Sequence, residues 1–342
     1  MNIEMTPVTN FDEWNEYVLN HPNGTFYLLS FWKDAIEKAF KIKNRYFIAK
    51  KDGKPCGIIP LFVVHTIALK KVTISIPYGG FYAGILANDE KTRDRLLEFA
   101  VSFSKHNGSE YLELRYLDDQ HFNLPKQELY VTYIKELGKD DETILKSIPR
   151  KSRASIRNGY KKFNLYSKVD RNVDILYDLY AKNKRNLGSP IFPKVFFKQL
   201  LESSGKKSDI LTIYYKSIPV SSVMFFSFRD TIIPYFSGAD NTYNYTNMNN
   251  VMYYELMKYA VKNGYKYFDF GRSRKNTGSG NFKKNMGFEA KQLHFYFYMH
   301  KQGNIPNISP SNSKFQFIIN TWSKLPLFIT KLLGPKLMKL FP

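Results

Sequence analysis

An internal repeat limits the fold more than any other feature of the sequence. RDRLLEFAVSFSKHNGSEYLELR (Arg93 to Arg115) lies over NVMYYELMKYAVKNGYKYFDFGR (Asn250 to Arg272), each reading as an amphipathic helix, a Gly turn and an apolar strand. Gly108 matches Gly264 at an offset of 264 − 108 = 156 residues. Upstream, RYFIAKKDGKPCGIIPLFVV carries a DG turn between alternating apolar runs and predicts a β-hairpin; ILTIYYKSIPVSSVMFFSF has the same shape in the second half. Each hairpin follows a helix with adjacent aromatics (Phe31 and Trp32, or Phe196 and Phe197) and precedes a strand ending near Tyr and Gly, IPYGG or IPYFSGAD. The 342 residues are therefore expected to form two α+β units of ordinary domain size. The expected divisions are 1–145, a basic linker helix over 146–163, 164–302, and a basic amphipathic tail over 303–342.

Composition supports sizeable cores, with 43% hydrophobic residues, 28 Phe and 25 Tyr. The opening MNIEMTPVTNFDEWNEYV has acids where a signal peptide needs a basic, then apolar, start, and the densest apolar run, Gly57 to Val64, is too short to span a bilayer. A cytoplasmic protein is expected. The single cysteine, Cys56, excludes a disulfide framework and any multi-cysteine metal site; it lies in a predicted strand and reads as packed, and no metal is expected. Lys and Arg outnumber Asp and Glu by 51 to 30, a net charge of +21. That excess is either compositional drift in a lysine-rich chain or the footprint of a polyanionic partner, and its distribution has to decide.

Two segments concentrate the charge. In SIPRKSRASIRNGYKK, Pro149 suits a first helical turn, and Arg150, Arg153, Arg157 and Lys161 share one helical face with no acid between Glu142 and Asp170. This face is either simply solvated or a stripe for phosphate, as in a nucleotide-sugar, a lipid pyrophosphate or transfer RNA. After Glu289 the chain has no acid, yet Lys324, Lys331, Lys336 and Lys339 accompany Trp322, Leu325, Phe328, Leu332 and Leu333 at helical spacing. The tail is either a packing stripe or an interfacial helix touching the inner face of the membrane, and Pro326 and Pro335 should limit it to short helices.

The order of elements in each half is that of the GNAT acyltransferase fold, and a tandem pair resembles the FemABX peptidyltransferases of bacterial cell-wall synthesis. FDFGRS, TG and FKKNMGFE, with KNKRNLGSPIFP and WSKLPLFITKLLGP, resemble the FemAB-related proteins encoded with exosortase and exopolysaccharide systems, which carry a BioF2-like acetyltransferase domain. The resemblance implies a mixed α/β fold of two GNAT-like domains with a basic connecting helix. It implies transfer of an acyl or aminoacyl group to an amine of a phosphorylated or lipid-linked cell-envelope or exopolysaccharide precursor. By the same resemblance Lys283, in the Phe282–Lys283 pair, stabilises the transferring group, Arg185 grips substrate phosphate and Tyr235 faces the substrate.

The residues themselves narrow the chemistry. There is no GxSxG elbow, HExxH or Walker loop, and none of the six histidines begins an HxxxD pattern, so a covalent mechanism is not expected. Catalysis would rest on proximity, removal of an amine proton and stabilisation of an oxyanion. Asp269, in the strand YFDF, is either a core-edge or capping residue or the group that orients Arg272. RSRKNTGSGN reads as a flexible Gly-rich loop; Lys275 to Gly280 copies the acetyl-CoA pyrophosphate loop, but at the wrong place. The right place, SGADNTYNYTNMNN, lacks the pattern, and no coiled-coil arm of the kind that loads transfer RNA is present, so the donor is left as aminoacyl-tRNA or acyl-CoA. The first half ends in YLDDQHFNLPKQELYVTYIKEL instead of a GFE turn, and is expected to help bind the acceptor. Rival readings are an acyl-CoA-dependent N-acetyltransferase acting on an amino sugar, and a non-catalytic binder of anionic lipid or RNA.

Overall fold

A computed structural model describes residues 3–42, 44–301, 305 and 313–342. The chain divides into two compact units, the first comprising Met1–Glu128, Gln292–Asn307 and Lys336–Pro342 and the second Leu129–Lys291 and Ile308–Pro335. Part of the expected tail, 303–304 and 306–312, lies outside the described residues.

The first unit opens with β1 (Ile3–Pro7), α1 (Phe11–Asn20) and α2 (Ser30–Phe40), followed by the hairpin β2 (Asn44–Lys51) and β3 (Lys54–His65). Asp52 and Gly53 take φ of 51° and 76°, the left-handed pair of a type I′ turn, which is what the DG dipeptide dictates. Then come β4 (Lys71–Ile74), β5 (Leu86–Ala87), α3 (Glu90–His106), β6 (Tyr111–Tyr116) and β7 (Lys126–Gln127). Asp89 caps α3 by accepting the Thr92 N–H at 2.7 Å. The crossover through α3 makes β4 and β6 parallel, and that pairing covers Thr73 with Leu112 and Ile74 with Glu113.

The second unit repeats this plan. It contains β8 (Tyr130–Glu136), α4 (Asp141–Ser147), α5 (Arg150–Phe163), β9 (Tyr166–Asp170), α6 (Val173–Asn186) and α7 (Lys194–Ser203). The hairpin β10 (Ser208–Tyr215) and β11 (Ile218–Phe228) turns on Lys216 and Ser217 at φ 48° and 65°, the same I′ geometry without glycine. There follow β12 (Thr231–Ala239), α8 (Met248–Lys262), β13 (Tyr267–Asp269), β14 (Ser273–Arg274), α9 (Gly278–Asn285) and β15 (Ala290–Gln292). After β16 (His294–Met299), α10 (Ser313–Lys324) and α11 (Leu327–Met338) close the chain. Pro326 separates these two helices, whereas Pro335 sits inside α11, which corrects the expectation that both prolines interrupt. Phe225, Val251, Leu256, Phe268, Phe270 and Phe288 form the core on the α8 face of the sheet.

Each sheet borrows its closing strand from the other half of the sequence. β16 pairs with β6 in the first unit, and β8 pairs with β13, β14 and β15 in the second. The chain thus leaves the first unit at Glu128, whereas the sequence divides it at 145. YVTYIKE, read as the end of the first half, lies against the FDF strand instead, Asp269 opposite Ile134. The basic helix α5 belongs to the second unit, where Gly159 lets it approach α8 closely; a Cβ there would come within 2.4 Å of Val251.

Candidate active site

The parallel pairing of β12 with β13 ends at Ile232 and Phe268, although β12 runs on to Ala239. The two strands therefore part after one short stretch. On the far side of β12 the register with β11 slips between Met224 and Phe225, leaving Tyr235 as the extra residue of a β-bulge. Tyr235 is half-buried, its ring edge-on to Phe226 and Phe236.

At the parting, the YFDF strand turns its chemistry toward α9. Asp269 is buried, and its carboxylate accepts the Thr132 hydroxyl at 2.9 Å and the Gly271 N–H at 2.9 Å. Gly271 takes φ +69°, a left-handed backbone that suits glycine. Lys283 Nζ donates to that carbonyl at 2.7 Å and to the Arg272 carbonyl at 3.2 Å. The Arg272 guanidinium stacks over the Tyr130 ring at 4.2 Å. Lys283 is 9% exposed, between the rings of Tyr133 at 5.4 Å and Phe270 at 5.6 Å.

RSRKNTGSGN is thus not a flexible loop. It makes β14 and then the start of α9, where the Thr277 hydroxyl accepts the Gly280 N–H at 3.4 Å. Gly280 has no Cβ to strike the Tyr133 hydroxyl, which would lie 2.8 Å from one. This close approach, and the docking of Phe282 on Tyr253 and Phe270, hold a Gly-rich segment helical. Lys283 consequently points inward, while Lys284 is exposed.

The electrostatics follow from burial. Lys283 is pushed down to about 7 by its removal from water, an effect that Arg272's charge increases and Asp269's charge opposes. Among the described residues no carboxylate pairs with it, and its two carbonyl partners use two of an ammonium's three donors. One donor remains for a ligand.

The other expected residues are distributed unevenly. Arg185, in the last turn of α6, is half-buried and donates to the Asn186 side chain at 3.0 Å. Its neighbour Lys184 lies over Tyr180 at 5.4 Å, and burial, then the Arg272 charge, lower its pKa. Lys184 is therefore within electrostatic reach of Arg272, a relation that KNKRNLG does not reveal. Arg150, Arg157 and Lys161 are exposed and Arg153 half-buried, and no ion pair joins them to a described residue. Pro149, at the head of that helix, lies against Gly287, just past α9. Sequence reasoning also missed Thr132, Tyr133 and Tyr130, because β8 is 137 positions from Asp269 along the chain. In the sequence YVTYIKE reads only as the ending of the first half, and nothing in it names a strand partner.

Residues 146–284 match the family model of the acetyltransferase (GNAT) domain. A crystal structure of FemX superposes with a TM-score of 0.66 at 14% identity, over 92% of this chain and all of FemX. A tandem GNAT protein from the clavulanic acid biosynthesis pathway does so with a TM-score of 0.57 at 7% identity, over 89% of this chain and all of that one. Residues 146–284 thus carry a GNAT domain, and the chain as a whole has the fold of FemX and of the tandem GNAT protein. L-PGS from Bacillus licheniformis shares the fold with a TM-score of 0.51 at 13% identity, over 88% of this chain and 96% of that one. No curated protein matches the sequence.

Many GNAT domains hold the pyrophosphate of acetyl-CoA where the fourth strand meets the next helix. In this chain that connection, β12 to α8, does not fit the group. It begins with Asp240, whose carboxylate is tied to Lys182 at 2.7 Å and to the Thr242 hydroxyl at 2.8 Å. It then winds into a 3-10 turn over Asn241–Thr246 with no glycine and no cation. The Tyr243 and Asn247 N–H groups are spent within the turn, on the Asp240 and Asn244 carbonyls. A phosphate there would meet the Asp240 carboxylate, with no cation in the turn to offset it.

Proposed function

We propose that the second unit transfers an acyl or aminoacyl group to an amine on a phosphorylated or lipid-linked precursor of the cell envelope or an exopolysaccharide. The observation that carries this reading is Lys283, a buried lysine with one unclaimed donor at the point where β12 and β13 part. The acceptor nitrogen bonds to the acyl carbonyl carbon, and the carbonyl electron pair moves onto oxygen. Lys283 donates to that oxyanion. Collapse breaks the bond to the donor's oxygen or sulfur, which leaves with the proton released by the amine. A charged donor fixed in a water-poor site contributes about 10² to 10³ in rate. Asp269 is a positioning residue in this scheme; it fixes the turn at Gly271 whose carbonyls aim the lysine.

Lys184, Arg272 and Arg185, with the stripe Arg150, Arg153, Arg157 and Lys161, supply the positive surface for phosphate, and Tyr235 and Phe282 the aromatic one. The poor fit of the CoA pyrophosphate at the β12–α8 connection favours an aminoacyl ester donor, aminoacyl-tRNA, over acyl-CoA. We place the protein in the cytoplasm, at the inner face of the membrane where a lipid-linked acceptor would lie.

The test is direct. Full-length protein is incubated with aminoacyl-tRNA or acyl-CoA and with nucleotide-linked or lipid-linked amine acceptors, and amide product is followed by mass spectrometry. Product that disappears in Lys283→Met supports the reading. Thermal stabilisation by RNA or anionic lipid with no amide from any pair would favour a non-catalytic binder.

A further inference from the structure

Helix α11 turns its large apolar side chains outward. Phe328 is 70% and Leu332 66% exposed, and Leu333 is exposed beside them, while Thr330 and Gly334 are buried. The Thr330 hydroxyl is satisfied within the helix, donating to the Leu327 carbonyl at 2.9 Å. Gly334 rests on Ile191 so closely that a Cβ would come within 2.8 Å of the Ile191 side chain. The helix is therefore held to the second unit by its small residues, and its apolar stripe has no cover among the described residues. Phe328 and Leu332 are four apart and share one face, with Lys336 on the next turn.

The charge around this stripe says what covers it. Lys324 and Lys336 are exposed and have no ion-pair partner among the described residues, whereas Lys331 is tied to Asp178 at 2.6 Å. No acid occurs after Glu289. An apolar ridge flanked by uncompensated ammonium groups fits a surface that is oily beneath and anionic above, which is the interface of a bilayer containing acidic lipids. No described helix is long and apolar enough to cross a membrane, so the contact is peripheral.

We propose that α11 docks the protein on an anionic lipid bilayer, with Phe328, Leu332 and Leu333 entering the headgroup–acyl boundary and Lys324 and Lys336 meeting the lipid phosphates. This gives the membrane placement proposed above its contact residues, and it is independent of what Lys283 transfers.

Sedimentation of the full chain with vesicles tests the proposal. Wild type should bind phosphatidylglycerol-containing vesicles, bind phosphatidylcholine vesicles weakly, and lose affinity as salt rises. Phe328→Ser with Leu332→Ser should weaken binding by about tenfold or more while leaving the melting temperature unchanged, since neither side chain packs. Lys324→Gln with Lys336→Gln should weaken it less and flatten the salt dependence. As a check that does not rely on loss of binding, the Phe328→Trp variant should show a blue-shifted indole emission on acidic vesicles. Equal binding by wild type and the serine variant, or no emission shift in the Phe328→Trp variant, would overturn the proposal. So would self-association in solution that the serine variant abolishes while vesicles bind neither protein.

Discussion

The two units carry an acid at the same point of the fold and use it differently. Glu113 lies on β6 and Asp269 on β13, at positions related by the repeat offset, 113 + 156 = 269, and both are buried. In the first unit the acid is matched inside its own strand, where Arg115 Nε donates to Glu113 at 2.7 Å. The same guanidinium donates to the carbonyls of Ile76 at 3.2 Å and Gly80 at 2.9 Å. Those carbonyls belong to a long excursion between β4 and β5, whose Ser75 and Ala83 N–H groups bond to the Glu113 and Arg115 carbonyls. Where the second unit has one bulged residue, Tyr235, the first has a whole loop laid into the gap beside its strand. The cation there is consumed by structure. In the second unit the cation comes from a different element, α9, has no carboxylate ion-pair partner among the described residues and keeps a donor. A duplicated fold can thus retain an acid on the same strand for opposite purposes, to bolt the strand shut or to aim a lysine.

Exchanging the cations' roles gives the largest expected effects. Arg115→Met leaves Glu113 buried and unpaired and should cost about 3–5 kcal/mol of stability in a urea titration, with turnover per folded molecule unchanged. Lys283→Met should do the reverse, lowering kcat by about 10² to 10³ while the urea midpoint moves much less. If both variants lost stability and neither lost turnover, the comparison would fail.

A smaller effect separates two neighbours on α6. Lys184→Ala should raise the acceptor's KM by about tenfold, because its ammonium is in electrostatic reach of Arg272, and Arg185→Ala should raise it only a few-fold, because its guanidinium rests on Asn186. The opposite ranking would return the phosphate grip to the arginine that the family resemblance favours.

A separate expectation concerns stability against pH. The folded pKa of Lys283, about 7, lies below its unfolded value of about 10.4, so between them the unfolded chain binds more protons. Stability should therefore rise with pH across that window in wild type. The desolvation penalty is fully present below about pH 7 and vanishes toward about pH 10. Lys283→Met should flatten this part of the curve in melts run at several pH values, whereas Arg115→Met should leave it.

Much of this was legible beforehand, and the failures have physical causes. The repeat, both hairpins and the FDF strand follow from local periodicity and turn chemistry, which the sequence states directly. The exchange of β8 and β16 did not, because alternation identifies a strand but not its neighbour. The helix at Gly278–Asn285 was hidden because two glycines argue against it, and packing of Gly280 on Tyr133 overrides that preference. Lys283 was picked out by its Phe–Lys neighbourhood, yet its burial and lowered pKa belong to Tyr133, Phe270 and the Gly271 carbonyl. Lys184 was passed over because nothing in KNKRNLG distinguishes the cation that feels the Arg272 charge from the one that bonds to Asn186.

The central claim is that a charged Lys283 stabilises the transferring group, and the pH dependence of kcat/KM tests it most directly. Once an acceptor is in hand, wild type is compared with Lys283→Arg, which stays charged throughout. The account predicts that wild-type kcat/KM, relative to the arginine variant, falls as pH rises through about 7, because Lys283 loses its proton there. A wild-type rate that instead climbs through about pH 7 relative to the arginine variant would make Lys283 a base, and would contradict the account.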